Sequence, residues 1–197
     1  MPNPHRRLSD PRELNALAHP VRMAIVELLS ISGPLTATEL ADRLDETPAN
    51  CSGHLRKLAE HGFVEEAAGG KGRQRPWQVP GLGFRWGDDP TSESSIDGRR
   101  AAQALSEVTM GRAVDRLREA QQRAAEESEE WRAAHRSTEM VAWLTADELK
   151  EMNDAITAVL DRYVERLTEP QQRPPGARPC EFVAWGVLTY FPGVEPA

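Results

Sequence analysis

Apolar residues recur at helical spacing through the first sixty positions. Ala24, Ile25, Leu28 and Leu29 share one face of a helix that begins at Pro20 and is closed by Gly33-Pro34. A shorter helix precedes it, from Asp10 to Ala18. Asp10 is its N-cap and Pro11 takes the first position, where a missing N–H is no loss. Leu40 and Leu44 mark the inward side of a third helix, opened by the capping box Thr36-Ala-Thr-Glu39. Thr47 caps a fourth, with Pro48 at its first position. In that helix Cys51, Leu55 and Leu58 fall at i, i+4 and i+7 and predict a buried stripe.

After His61-Gly62 the pattern changes. Phe63-Val-Glu-Glu-Ala alternates as a strand, and Arg75-Pro-Trp-Gln-Val returns as a second, with Trp77 placed to pack on the helices. Between them Gly69-Gly-Lys-Gly-Arg-Gln is a flexible, positive turn. Residues 81–95 are rich in Gly, Pro, Asp and Ser and read as a linker anchored by Phe84 and Trp86. From about Ile96 to about His135 a single long helix is predicted. Ala101, Leu105, Val108, Met110, Val114, Leu117 and Ala124 form a drifting apolar stripe, with Trp131 near the end. A helix of that length spans on the order of 50–60 Å and predicts a dimer arm. Residues 138–144 then read as a strand. Thr145-Ala-Asp-Glu148 is a second capping box, opening a helix with Leu149, Met152, Ile156, Val159, Leu160 and Tyr163 on one side. Residues 180–191 read as a strand that pairs with 138–144.

The net charge of −7 is divided unevenly. Residues 1–80 balance ten basic side chains against ten acidic ones, so the whole excess of acid lies in residues 81–197. Over residues 47–80 five basic residues face three acidic ones, a weakly positive patch that two copies of the chain would present twice.

The helix opened by Thr47 carries the candidate chemistry. Opposite its buried stripe lie Ala49, Asn50, Gly53, Arg56 and Lys57, with Ser52 and His54 on the flanks. Small residues early in such a helix let its backbone approach a DNA major groove. Asn50 suits an adenine edge, and Arg56 or Lys57 a guanine or a phosphate. Ser52 and His54 suit phosphates, which fix register without reading sequence. A solvated helix face has the same composition. The capped helix before it and the glycine-basic hairpin after it, with Lys71, Arg73, Gln74 and Arg75, favour double-stranded DNA as the partner. A nucleotide-cradling loop is discounted, since the glycines join strand to strand rather than strand to helix.

Four stretches together resemble the ArsR-type winged-helix transcriptional regulators. They are Ala16-Leu-Ala-His-Pro-Val-Arg-Met-Ala-Ile-Val-Glu-Leu-Leu, the Leu35-Thr-Ala-Thr-Glu-Leu-Ala helix, Ser52-Gly-His-Leu-Arg-Lys-Leu and His61-Gly-Phe-Val-Glu. The resemblance covers roughly the first eighty residues. It implies a mainly α fold with small β: a winged helix-turn-helix over residues 8–80, a linker over 81–95, and a dimerisation or effector region over 96–197 containing the long helix and a strand–helix–strand unit. It also implies a repressor-like homodimer on an operator palindrome, with contacts from Ser52, His54 and the wing around Lys71, Arg73, Gln74 and Arg75. Metal-sensing relatives carry a thiolate pair near the third helix or paired carboxylate and histidine ligands on the C-terminal helix. Residues 36–44 hold no cysteine and Cys51 lies on the buried stripe, so no metal is expected.

Other classes have less support. The five histidines are scattered, without HExxH, GxSxG or a Cys–His spacing, so neither an enzyme nor a cofactor is expected. Cys51 and Cys180 suggest no disulfide framework, and a mean hydropathy of −0.58 with no long apolar run points to a cytoplasmic protein away from membranes. Trp143, Tyr163, Trp185 and Tyr190 would suit a small-molecule effector pocket, but such aromatics more often build a core or a dimer seam. A winged helix that docks a protein partner is the remaining alternative.

Overall fold

The computed structural model describes residues 6–69, 75–81, 84–86 and 95–193. The wing tip, with Lys71, Arg73 and Gln74, lies outside them. The chain divides into two compact units, residues 1–122 and 123–197.

The first unit begins with a two-residue strand β1 (Arg6–Arg7), then α1 (Pro11–Leu17), α2 (Pro20–Ser32), α3 (Ala37–Leu44) and α4 (Pro48–Glu60). The caps are those the residues call for. Asp10 accepts from the Arg12 N–H at 2.8 Å, and the His19 ring accepts from the Val21 N–H at 3.2 Å. Thr36 and Glu39 complete a reciprocal capping box, and Thr47 accepts from the Asn50 N–H at 3.2 Å. Arg22, on α2, closes α1: its guanidinium donates to the carbonyls of Ala16 and Asn15. Gly33 ends α2 at φ 79°, a conformation that favours glycine.

A short antiparallel pair follows, β2 (Glu65–Glu66) with β3 (Trp77–Gln78), in the register Glu65↔Gln78 and Glu66↔Trp77. Leu35 adds a third rung by exchanging both backbone hydrogen bonds with Trp77 at 3.0 and 2.8 Å. This is the base of a wing. β4 (Phe84–Arg85) pairs in parallel with β1. Phe84 meets Phe63 edge-on at 4.9 Å, and the Trp86 indole N–H donates to Ser106 at 3.1 Å.

One core holds the unit together. Ile25, Leu40, Cys51, Leu55, Leu58 and Phe63 are fully buried, and truncating one of the large aliphatic members to Ala costs about 2–5 kcal/mol. α5 (Ile96–Arg123) contributes Ala101 and Leu105 to that same core, so one face of its first half packs on its own unit. Met110 and Leu117, further along, stay exposed.

In the second unit the predicted long helix does not reach His135. It ends at Arg123, passes through a 3-10 turn over Ala124–Glu126, and restarts as α6 (Glu129–Ala134) with Ser128 as N-cap. α7 (Ala146–Asp161) is the helix opened by Thr145, whose capping box with Glu148 is complete. α8 (Glu165–Thr168) and a further 3-10 turn, Pro170–Gln172, follow. The two expected strands are absent: residues 138–144 and 180–191 form neither strand nor helix, and the strand–helix–strand unit reduces to its helix. None of the described residues of this unit is buried. Among the described residues no single helix is long and apolar enough to cross a membrane.

Candidate nucleic-acid interface

α3, a three-residue turn and α4 form the site. The turn is set by Asp45, which takes a left-handed conformation (φ 54°) at the C-cap of α3, a geometry Asp tolerates better than most residues. The Glu46 N–H returns to the Ala41 carbonyl at 3.0 Å, so the chain enters α4 without a loose backbone group there. Cys51, Leu55 and Leu58, none of them accessible, pin one face of α4 to the core. The opposite face is therefore presented outward.

That outward face carries the residues singled out from the sequence. Thr47, Ala49, Asn50, Gly53, Arg56 and Lys57 are exposed, while Ser52 and His54 are half-buried at its edges. Local bonds hold several of them. The Asn50 amide donates to Glu46 at 2.6 Å, the Ser52 hydroxyl to the Pro48 carbonyl at 2.7 Å, and the Arg56 guanidinium to the Ser52 carbonyl at 3.2 Å. Lys57 pairs with Glu60 at 2.9 Å, an exposed contact of small energetic value that a phosphate can replace. Gly53 has nothing within 4 Å of where a Cβ would stand, so no intramolecular crowding requires a glycine there.

The wing base stands beside the start of α4. Arg75 is exposed and pairs with Glu66 at 2.8 Å. Together with Thr38, Pro48, Ser52 and Trp77 it lines an open cleft of about 380 Å³. Thr38 and Glu46 were not singled out from the sequence. Thr38 is a residue of the α3 capping-box turn, and only the fold brings it next to Ser52 and Arg75. Glu46 is an acid four residues before Asn50, a spacing at which a side-chain hydrogen bond was legible.

His54 lies 4.8 Å from His19, ring centre to ring centre. Burial holds both imidazoles below the ordinary histidine range. The Arg22 charge adds to this, and Glu46 opposes it. Burial also raises the Cys51 thiol, with Glu46 contributing. Among the described residues no group of three or more His, Cys, Asp or Glu side chains is arranged to hold a metal ion.

The four aromatic residues considered for an effector pocket do not form a core. Trp143, Tyr163, Trp185 and Tyr190 are all exposed.

A family model described as a helix-turn-helix domain matches residues 17–67, which run from the end of α1 through the first wing strand. No curated protein gives a significant match. Among solved structures the chain is similar to reduced HlyU from Vibrio cholerae N16961, at 21% identity and a TM-score of 0.30, over 48% of this chain and 82% of that one. The chain carries a helix-turn-helix domain, of the kind with which transcriptional regulators bind DNA, with α3 and α4 as its paired helices.

Proposed function

We propose that the chain is a sequence-specific, DNA-binding transcriptional regulator that acts as a cytoplasmic, repressor-like homodimer. The observation that carries this reading is α4: one face is locked into the core, and the other presents small, polar and basic residues beside the wing base. In this reading α4 enters the major groove. Ala49 and Gly53 let the backbone come close, Asn50 and Arg56 reach base edges, and Thr47, Ser52, His54 and Lys57 meet the sugar-phosphate chain. The wing residues Lys71, Arg73, Gln74 and Arg75 follow the backbone or the minor groove. Residues 8–80 form the DNA-binding part and residues beyond 96 the part that joins two copies.

Asn50 would read adenine with its whole amide, so Glu46 must release the amide N–H₂ on binding. That exchange makes Glu46 a negative element at the interface. The direct test is selection of duplexes from a random library by the full-length protein. An inverted repeat with half-sites about 34 Å apart, one turn of duplex, is expected. Failure to enrich any sequence would overturn the reading.

A further inference from the structure

His19 and His54 meet at the edge of the outward face of α4. Their rings stand 4.8 Å apart, tilted by 42°, and both are half-buried. His54 comes from the middle of α4, and His19 is the N-cap of α2. The charged and titratable groups that face His54 are His19 and Arg22, from α2 and its cap, and Glu46 from the turn before α4. α1 and α3 also pack on α4, and among the described residues neither sets a charge against this ring. Arg22 donates to the carbonyls of Ala16 and Asn15 and, among the described residues, pairs with no carboxylate. A cation held by neutral acceptors keeps its charge for an anion arriving from outside.

The two rings are not equivalent. Nδ1 of His19 accepts the Val21 N–H at 3.2 Å, so the neutral ring carries its proton on Nε2. A second proton on His19 would displace that bond and uncap α2. His54 makes no hydrogen bond among the described residues, so its ring can take a proton without breaking one. Two imidazolium rings this close, with Arg22 beside them, would repel each other. The pair therefore has room for one proton, and His54 is where it goes.

We propose that His54 takes up a proton when a phosphate of the DNA backbone docks beside it, with Arg22 supplying a second positive charge, so that DNA binding tightens as the pH falls. The proposal rests on the DNA-binding reading above and adds a proton to it. In the free protein, burial and the Arg22 charge keep the ring neutral at pH 7. A phosphate oxygen within hydrogen-bond reach reverses the balance, because a nearby anion favours the charged form. At pH values between the free and the bound titration of the ring, the complex holds one proton more than its separate parts. Proton and DNA then strengthen each other's binding. The gain has a ceiling of about tenfold per pH unit for each chain, since one pKa unit is one tenfold step. Stability moves the other way, because protonation without the phosphate works against burial of the ring. A histidine that only supported the fold would therefore weaken DNA binding at low pH.

Two measurements on the full-length protein test this: its affinity for the selected duplex between about pH 8 and 6 at fixed ionic strength, and an NMR titration of the His54 ring with and without that duplex. Affinity should rise at least about threefold per chain over that range, and the bound ring should titrate at a higher pH than the free one. His54→Gln should abolish the pH dependence. His19→Asn, which keeps a capping acceptor, should retain it. Equal affinity across the range, a slope that persists in His54→Gln, or one that vanishes in His19→Asn would overturn the proposal and leave the DNA reading standing. The absence of a complex at every pH would overturn both. If either variant fails to fold, the wild-type titration decides: a bound ring that titrates at or below the pH of the free ring overturns the proposal.

Discussion

Glu27 and Arg112 fasten α2 to α5. One oxygen of the Glu27 carboxylate accepts from Nε of Arg112 at 3.0 Å and from its terminal amino group at 2.5 Å. Arg116, one turn further along α5, reaches the same oxygen at 3.0 Å. The groups are partly sheltered, so screening by water is incomplete. With Ala101 and Leu105 in the core, this ion pair holds α5 on the helix-turn-helix body. Glu27→Ala is expected to cost about 1–2 kcal/mol in urea unfolding. In a double-mutant cycle with Arg112→Ala the two losses should fall short of additive. Strict additivity would show that the contact contributes nothing to stability.

Gly53 separates folding from recognition. Its Cβ position is open and its backbone is helical, so Gly53→Ala should raise stability by about 0.5–1 kcal/mol. The same methyl group would stand between α4 and the groove and should weaken DNA binding about tenfold, or 1.4 kcal/mol. Thermal melting and a binding titration on one preparation check both. Unchanged affinity would move the DNA contact away from this part of α4.

Glu46 should act against DNA. Removing its charge in Glu46→Gln takes a carboxylate away from the candidate interface and loosens its hold on the Asn50 amide. Affinity should rise several-fold at low salt, with the gain shrinking as salt increases. A loss of affinity would mean that Glu46 positions Asn50 for binding.

The His19–His54 pair predicts a pH dependence of stability. Both rings have folded-state pKa values lowered from 6.5, so the unfolded chain binds more protons once the pH falls below that value. Their contribution is complete above about pH 6.5 and is lost as pH falls towards the depressed folded values. The melting temperature should therefore drop between pH 7 and 5, and His54→Gln should flatten the drop. An equal slope in the variant would assign the effect to other groups.

The two cysteines should differ in reactivity. Cys51 is buried with a raised thiol pKa, whereas Cys180 is exposed. A thiol reagent should modify one cysteine per native chain, identified as Cys180 by peptide mapping, and both after unfolding. Modification of Cys51 in the native protein would mean that α4 opens readily.

Much of the first unit could be read from the residues because its signals are local. Asp10, Thr36 with Glu39, and Thr47 before Pro48 each hydrogen-bond backbone within three residues, and the stripe Cys51, Leu55, Leu58 is set by helical geometry alone. Non-local pairings were not legible. Strands of two residues, such as Arg6–Arg7 against Phe84–Arg85, have no period to detect. The end of α5 was missed because Ala, Glu, Gln and Arg continue past it with good helix propensity, although Ser128 before two glutamates marks a fresh start. The strands expected over 138–144 and 180–191 did not form, since a strand needs pairing contacts that sequence spacing does not encode. The same limit applies to the site: the exposed face of α4 follows from its stripe, whereas the approach of Thr38 and Arg75 to Ser52 needs the fold.

Equilibrium binding of the full-length protein to its selected duplex, followed by fluorescence anisotropy at 50 and 200 mM salt, tests most directly whether α4 and the wing grip DNA. Four phosphate contacts would lower affinity about a hundredfold across that range. Arg56→Ala should lose a further 1–3 kcal/mol, about five- to 150-fold, if the side chain reads a base. An affinity indifferent to both salt and Arg56, or the absence of any complex at 50 mM salt, would contradict the proposed role of α4.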